Sequence, residues 1–251
     1  DVFTAAHFRN FINKDVTVGG DLWRCLAFSN HDVMRSASRF SDKPSSRSQI
    51  AKLSTALLLS LRGTPCIYQG EELGLTEADV PYELLQDPYG IHFWPEFKGR
   101  DGCRTPMPWN ADTRAGFTED IVVPWLPIPA EHAAASVATQ CDDLDSPLTH
   151  IRHFLHIRRE HGAFTSDRMH LLDGPNGLLV FERGSGASCI LCVFNLSSET
   201  LAYVRPTQWL DSIVLLSAGV VRHNDTHQGS TFAAWSYAIW SKGDVLEAPA
   251  A

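Results

Sequence analysis

Leu22-Trp23-Arg24-Cys25-Leu26-Ala27-Phe28, followed at once by Ser29-Asn30-His31-Asp32, is the stretch on which the fold turns. A short, mostly apolar run ending in a polar turn reads as a buried strand that delivers side chains to its C-terminal end. A helix comes next. Ile50, Leu53, Leu57 and Leu61 recur on one face, Ser46 with Gln49 forms a capping box, and Gly63 with Pro65 stops the run. Cys66-Ile67-Tyr68 is a second short strand, running into Gln69-Gly70-Glu71-Glu72. Strand, polar turn, amphipathic helix and strand in that order mark parallel β/α units.

Upstream, Phe3, Phe8, Phe11 and Ile12 have helical spacing. Downstream, from Gly74 to Asp145, periodicity disappears and Pro, Gly, Asp and Trp dominate. A long irregular stretch inside a compact domain is usually functional. Ser146-Pro147 then opens another helix with Leu148, Ile151 and Leu155 on one face. Beyond Met169, short β-like runs alternate with Gly, Asn, Asp and Ser turns, the pattern of a small antiparallel β-sandwich. The expected organisation is therefore α/β over residues 1–165 and all-β over residues 166–251. A whole (β/α)8 barrel would fit in 251 residues, but only two parallel strands precede residue 165 and eight are needed. Two strands and three helices cannot cover both faces of a parallel sheet, so more of the barrel is expected upstream.

Composition narrows the partners. The net charge is −8 and the 21 Lys and Arg are scattered, which disfavours nucleic acid and anionic membranes. No apolar run approaches the roughly 20 residues of a transmembrane helix. Six cysteines are too few for a disulfide scaffold, and reduced thiols favour the cytoplasm. Cys189 and Cys192 have metal-motif spacing but lie on a strand, where positions i and i+3 face opposite ways. His150, His153 and His156 lack a carboxylate to complete a metal set, so a solvated helix face is expected.

Three segments, taken together, resemble a known family. Phe28-Ser29-Asn30-His31-Asp32-Val33-Met34-Arg35 looks like the fourth conserved segment of the α-amylase superfamily of glycoside hydrolases. Gly63-Thr64-Pro65-Cys66-Ile67-Tyr68-Gln69-Gly70-Glu71-Glu72 looks like its eighth-strand segment. Gly99-Arg100-Asp101-Gly102-Cys103-Arg104-Thr105-Pro106-Met107-Pro108-Trp109 is similar to a segment of the α-glucosidase and oligo-1,6-glucosidase branch. The resemblance implies that Leu22 to Phe28 is the seventh barrel strand and Cys66 to Tyr68 the eighth. The fold it implies is the C-terminal part of a (β/α)8 TIM barrel followed by the β domain.

It also implies roles. Asp32 is the carboxylate that grips ring hydroxyls and stabilises the transition state, and His31 donates to the same sugar. Arg100 holds the non-reducing-end glucose, in a pocket partly dried by aromatics such as Trp94 or Trp109. The nucleophile and general acid come from fourth- and fifth-strand segments, and neither segment is found in these 251 residues. Glu71 and Glu72 do not replace them, because adjacent carboxylates on an extended segment point apart. Without the resemblance, His31-Asp32 reads as a turn stabilised by an Asx hydrogen bond.

The implied enzyme is a retaining α-glucosidase acting on short α-linked gluco-oligosaccharides, with no cofactor and no metal among these residues. This chain alone is expected to be inactive and to require the upstream half of the barrel. Two alternatives stand: a sucrose-isomerising or transglucosylating relative, and a non-catalytic amylase-like partner subunit.

Overall fold

Gly63 sets the register of the parallel strands. Its φ is +137°, and a Cβ there would lie 2.6 Å from the Arg24 carbonyl, so only glycine lets the chain turn this close. The next residue pairs immediately: the Thr64 N–H donates to Arg24 O at 2.8 Å. Strand β1, Cys25–Leu26, therefore runs parallel to β2, Thr64–Pro65. The ladder lies just ahead of Cys66-Ile67-Tyr68 rather than on it, and β1 is shorter than the run from Leu22 to Phe28. Leu22 and Trp23, expected to be buried, are 63% and 43% exposed. A parallel strand with one neighbour keeps its outer face open.

The computed structural model describes residues 3–18, 22–41, 43–222 and 229–242. It divides into two compact units, one of Asp1–Leu26, Ala56–Pro65 and His153–Ala251, the other of Ala27–Thr55 and Cys66–Arg152.

The first unit contains helix α1 (Ala5–Val18), β1, β2 and a six-stranded antiparallel sheet. The sheet strands are β3 (Met169–Leu171), β4 (Leu178–Arg183), β5 (Ile190–Asn195), β6 (Leu201–Val204), β7 (Ile213–Arg222) and β8 (Gly229–Ser241). The antiparallel reading of this region holds, with β8 as the shared strand. Its first half pairs with β6, its second half with β5, and β7 follows it along the other edge. Two register shifts in β7, with left-handed Gly219 and Trp235, bend this ribbon. Bulges of this kind carry a strand between the layers of a sandwich.

Both faces of the sheet are covered. Leu178, Val180, Leu191, Val193, Trp209 and Trp240 fill one side. On the other, Phe181, Phe194 and Tyr237 stack with centroids 5.8 and 5.4 Å apart. Cys189 belongs to the first cluster, and Cys192, three residues on, does not. Both thiols are buried and unpaired, as the strand geometry requires.

Helix ends in the same unit are anchored by buried arginines. Arg183, fully buried, donates to the carbonyls of Ser60 (2.6 Å), Phe164 (3.2 Å) and Ser166 (2.8 Å). Burial, aided by the neighbouring Arg158 and Arg62 charges, lowers its pKa to about 10. Helix α7 (Pro147–Glu160) buries Phe154 and Ile157, while Leu155, expected on the inner face, is 42% exposed. Phe154 takes that place by packing edge-on against Phe164 at 5.4 Å.

In the second unit the long irregular stretch holds helices too short to show a period. They are α4 (Pro88–His92), α5 (Ala130–Ala134) and α6 (Val137–Cys141), preceded in the chain by α2 (Ser36–Arg39). Helix α3 (Arg47–Ser60) departs from its amphipathic reading, since residues from Ile50 through Leu61 are buried on all sides. His132, on α5, is buried between the hydroxyls of Thr105 (3.2 Å from Nδ1) and Thr76 (3.4 Å from Nε2).

Two outcomes follow from these buried groups. Arg183→Met leaves several interior carbonyls without a donor and should lower unfolding stability by about 3 kcal/mol. Chemical denaturation checks this, and a loss below about 0.5 kcal/mol would mean that water replaces the guanidinium. Burial, reinforced by the nearby Arg35 charge, pushes His132 down to about 4, below its usual value. The unfolded chain therefore takes up this proton first as pH falls. Stability should drop between about pH 6.5 and pH 4, by up to about 3 kcal/mol in all. Melting curves of wild type and His132→Asn across that range should differ in slope; parallel curves would remove His132 from the acid response.

Candidate active site

The polar turn after β1 is built to expose two side chains. The Asp32 N–H donates to Asn30 Oδ1 at 2.8 Å, an Asx turn closed by an Asn30–Val33 bridge. The Asx bond thus exists, made by Asn30, and it leaves the Asp32 carboxylate free to point outward. Side-chain exposure is 70% for His31 and 48% for Asp32, whose nearest atoms, Nε2 and Oδ2, are 3.4 Å apart.

Beneath the turn, Ser29 is buried. Its hydroxyl donates to Glu71 Oε1 at 2.6 Å and accepts the Ser36 N–H at 3.0 Å. Glu71 Oε2 accepts the Tyr68 N–H at 2.9 Å. One buried carboxylate therefore ties the segment leaving β1 to the segment following β2. This supports a structural role for Glu71 rather than a catalytic pairing with Glu72, whose carboxyl burial pushes up. Arg35, fully buried, donates to the Gln69 carbonyl, and a Cβ on left-handed Gly70 would come within 2.4 Å of its Nη1.

Arg100 lies beside Asp32. Its Nη1 donates to Asp32 Oδ1 at 3.0 Å. Its other edge is held by Asp87: Nε donates to Oδ2 at 2.8 Å and Nη2 to Oδ1 at 2.9 Å. The Arg100 backbone N–H donates to Asp87 Oδ2 at 2.8 Å as well. Arg104 Nη2 reaches the same Asp32 Oδ1 at 3.0 Å, and its Nε donates to the His31 carbonyl at 2.7 Å. The Arg100 hydrogen bonds hold the Asp87 carboxyl well below the usual carboxylate range, and Asp87 in turn raises Arg100. Both stay charged at any working pH.

Asp32, His31 and Arg100, the residues singled out from the sequence, are thus brought together. Trp94 and Trp109 are the aromatics expected beside them. Trp94 packs on the Ala78, Val80, Leu85 and Leu126 cluster, and Trp109 is 52% exposed. Tyr89 faces Arg100, with the guanidinium carbon 5.2 Å from the ring centroid. Sequence reasoning missed Asp87. Its signal was present: Asp87 followed by Pro88 is a helix cap, and its Oδ1 accepts the Tyr89 N–H at 3.2 Å. Nothing in that signature shows that the same carboxylate also grips Arg100. Among the described residues no group of three or more His, Cys, Asp or Glu could hold a metal ion, and no helix is long and apolar enough to cross a membrane.

A parallel strand pair within a β/α unit, followed in the chain by an antiparallel β domain, is the C-terminal part of a (β/α)8 barrel fold. The α-amylase catalytic-domain model matches residues 2–167, and the chain belongs to the α-amylase family. It is 47% identical over 191 residues to a probable alpha-glucosidase of Rhizobium meliloti (strain 1021), covering 76% of this chain and 34% of the relative. An oligo-1,6-glucosidase of Heyndrickxia coagulans is 31% identical over 238 residues, covering 87% of this chain and 41% of that protein. The crystal structure of the alpha-glucosyl transfer enzyme XgtA superposes with a TM-score of 0.83 at 40% identity, over 96% of this chain and 44% of XgtA. An isomaltulose synthase of Erwinia rhapontici NX5, in complex with D-glucose, gives a TM-score of 0.81 at 28% identity, over 97% of this chain and 47% of the synthase. The chain thus spans less than half the length of each of these relatives.

Proposed function

We propose that the intact protein carrying this chain is a retaining α-glucosidase that releases glucose from the non-reducing end of short α-linked gluco-oligosaccharides. In this reading residues 1–165 supply the last part of the barrel and residues 166–251 the terminal β domain. The observation that carries it is the convergence of Arg100 and Arg104 on one oxygen of Asp32, with His31 beside the other. A half-exposed carboxylate flanked by a guanidinium fork and an imidazole presents acceptors and donors to vicinal sugar hydroxyls. Bonds from Asp32 to ring hydroxyls would strengthen as the ring flattens and gains oxocarbenium character. The nucleophile and acid, about 5–5.5 Å apart in retaining enzymes, would come from barrel segments outside this chain. The six unpaired cysteines support a cytoplasmic setting.

A second reading, transfer of the glucosyl group to a sugar in place of water, draws support from the 40% identity to an alpha-glucosyl transfer enzyme. The first half-reaction is shared, so Asp32 and Arg100 keep their roles. Product analysis on maltose separates the two: free glucose alone marks hydrolysis, and longer saccharides mark transfer.

In the intact protein, Asp32→Asn should act mainly on kcat, by on the order of a hundredfold, because its contacts tighten in the transition state. Arg100→Ala should raise KM and lower kcat/KM by on the order of tenfold or more, and Arg100→Lys should recover little. Unchanged kcat/KM for maltose and isomaltose in Arg100→Ala would return Arg100 to the class of surface ion pairs. Purified 1–251 alone should not turn over a chromogenic α-glucoside. Turnover above buffer, abolished by Asp32→Ala, would show that the chain holds a complete catalytic set.

A further inference from the structure

We infer that Asp87 is the positioning residue of the sugar pocket: it sets the plane and the outward edge of Arg100. The inference rests on the reading that Arg100 contacts substrate.

Asp87 is built for this. Its side chain is fully buried, yet it accepts four hydrogen bonds, three from Arg100 and one from the Tyr89 N–H. The backbone and the side chain of Arg100 are thus fixed by the same two oxygens. Two N–H groups of the guanidinium edge are consumed, and Nη1 is the atom aimed at Asp32. The grip is reciprocal. Asp101, next to Arg100 and fully buried, accepts the N–H groups of Gln86 (2.6 Å) and Asp87 (2.8 Å) on one oxygen. Segments 86–89 and 100–101 therefore each hold the other.

Two glycines make the approach possible. A Cβ on Gly90 would lie 2.6 Å from the Lys98 carbonyl. One on left-handed Gly99 would lie 2.8 Å from Gly90 Cα and 3.0 Å from Asp87 Oδ2. The pattern Asp87-Pro88-Tyr89-Gly90 with Gly99-Arg100-Asp101 is one clasp, and its product is the orientation of a single guanidinium. Tyr89, delivered by the turn that Asp87 caps, lies over the guanidinium face and restricts its remaining freedom.

The test is a double-variant cycle in the intact protein, read as kcat and KM for release of a chromogenic leaving group from an α-glucoside. That substrate reports hydrolysis and transfer alike. Asp87→Asn, close in volume, and Asp87→Ala should raise KM with kcat less affected, by about as much as Arg100→Ala. In an Arg100→Ala background, either change should cost less than about twofold more, because there is nothing left to position. Asp87→Glu should not rescue, since its longer arm displaces the fork. If the losses multiply in the double variants, or Asp87→Asn leaves KM unchanged, Asp87 only supports the fold and the inference is overturned. Should Asp87→Ala fail to fold, Asp87→Asn carries the cycle. Normal kcat/KM in Arg100→Ala alone would overturn the substrate-contact reading and the positioning inference together, which separates that failure from one confined to Asp87.

Discussion

A buried carboxylate beneath a guanidinium, Asp87 under Arg100, is the constraint on which the site depends. An exposed ion pair such as Lys98 with Asp79, with side chains 55% and 79% exposed, contributes little because water competes and both chains lose freedom. Asp87 differs in that its oxygens are withdrawn from water and every bond they make is charge-assisted or to a backbone N–H. Removing one partner would leave the other charge stranded in the interior, so the pair holds one geometry. Arg100 keeps partial exposure at its outer edge. On the function proposed, a charged donor held this way would meet a neutral sugar without rearranging, which is what preorganisation requires.

The same device recurs at other points in the chain. Glu71 joins the two segments that follow β1 and β2 through Ser29 and the Tyr68 N–H. Asp15 accepts both Arg24 (2.6 Å) and Arg62 (3.1 Å), so α1 is tied to residues flanking the two parallel strands. Arg183 does it with carbonyls alone, gathering the end of α3 and the connection after α7 onto the edge of β4. Buried polar groups of this kind are costly unless fully bonded. Where they are, they specify one arrangement of segments that apolar packing alone would leave degenerate.

Much of this was legible in the sequence. The parallel β/α unit, the antiparallel strands after Met169 and the grouping of His31, Asp32 and Arg100 were all readable, because each rests on local pattern or on a recognisable segment. What escaped was long-range. The β2 ladder lies at Thr64–Pro65 because Gly63 turns there against Arg24, a contact about forty residues away in sequence. Helix α3 is buried all round, which its own periodicity understates. Asp87 shows a cap signature locally, but its grip on Arg100 is a pairing across thirteen residues of irregular chain. Tyr89 is delivered to Arg100 by that same cap, so its contact with the guanidinium could not be read before the clasp was known.

The most direct measurement is a crystal structure of the intact protein with glucose bound. The expected result is glucose hydroxyls within about 3.2 Å of both Asp32 and the outer edge of Arg100, with Asp87 still gripping the inner edge. Glucose seated elsewhere, with Asp32 and Arg100 paired to each other and touching no sugar atom, would contradict the central claim.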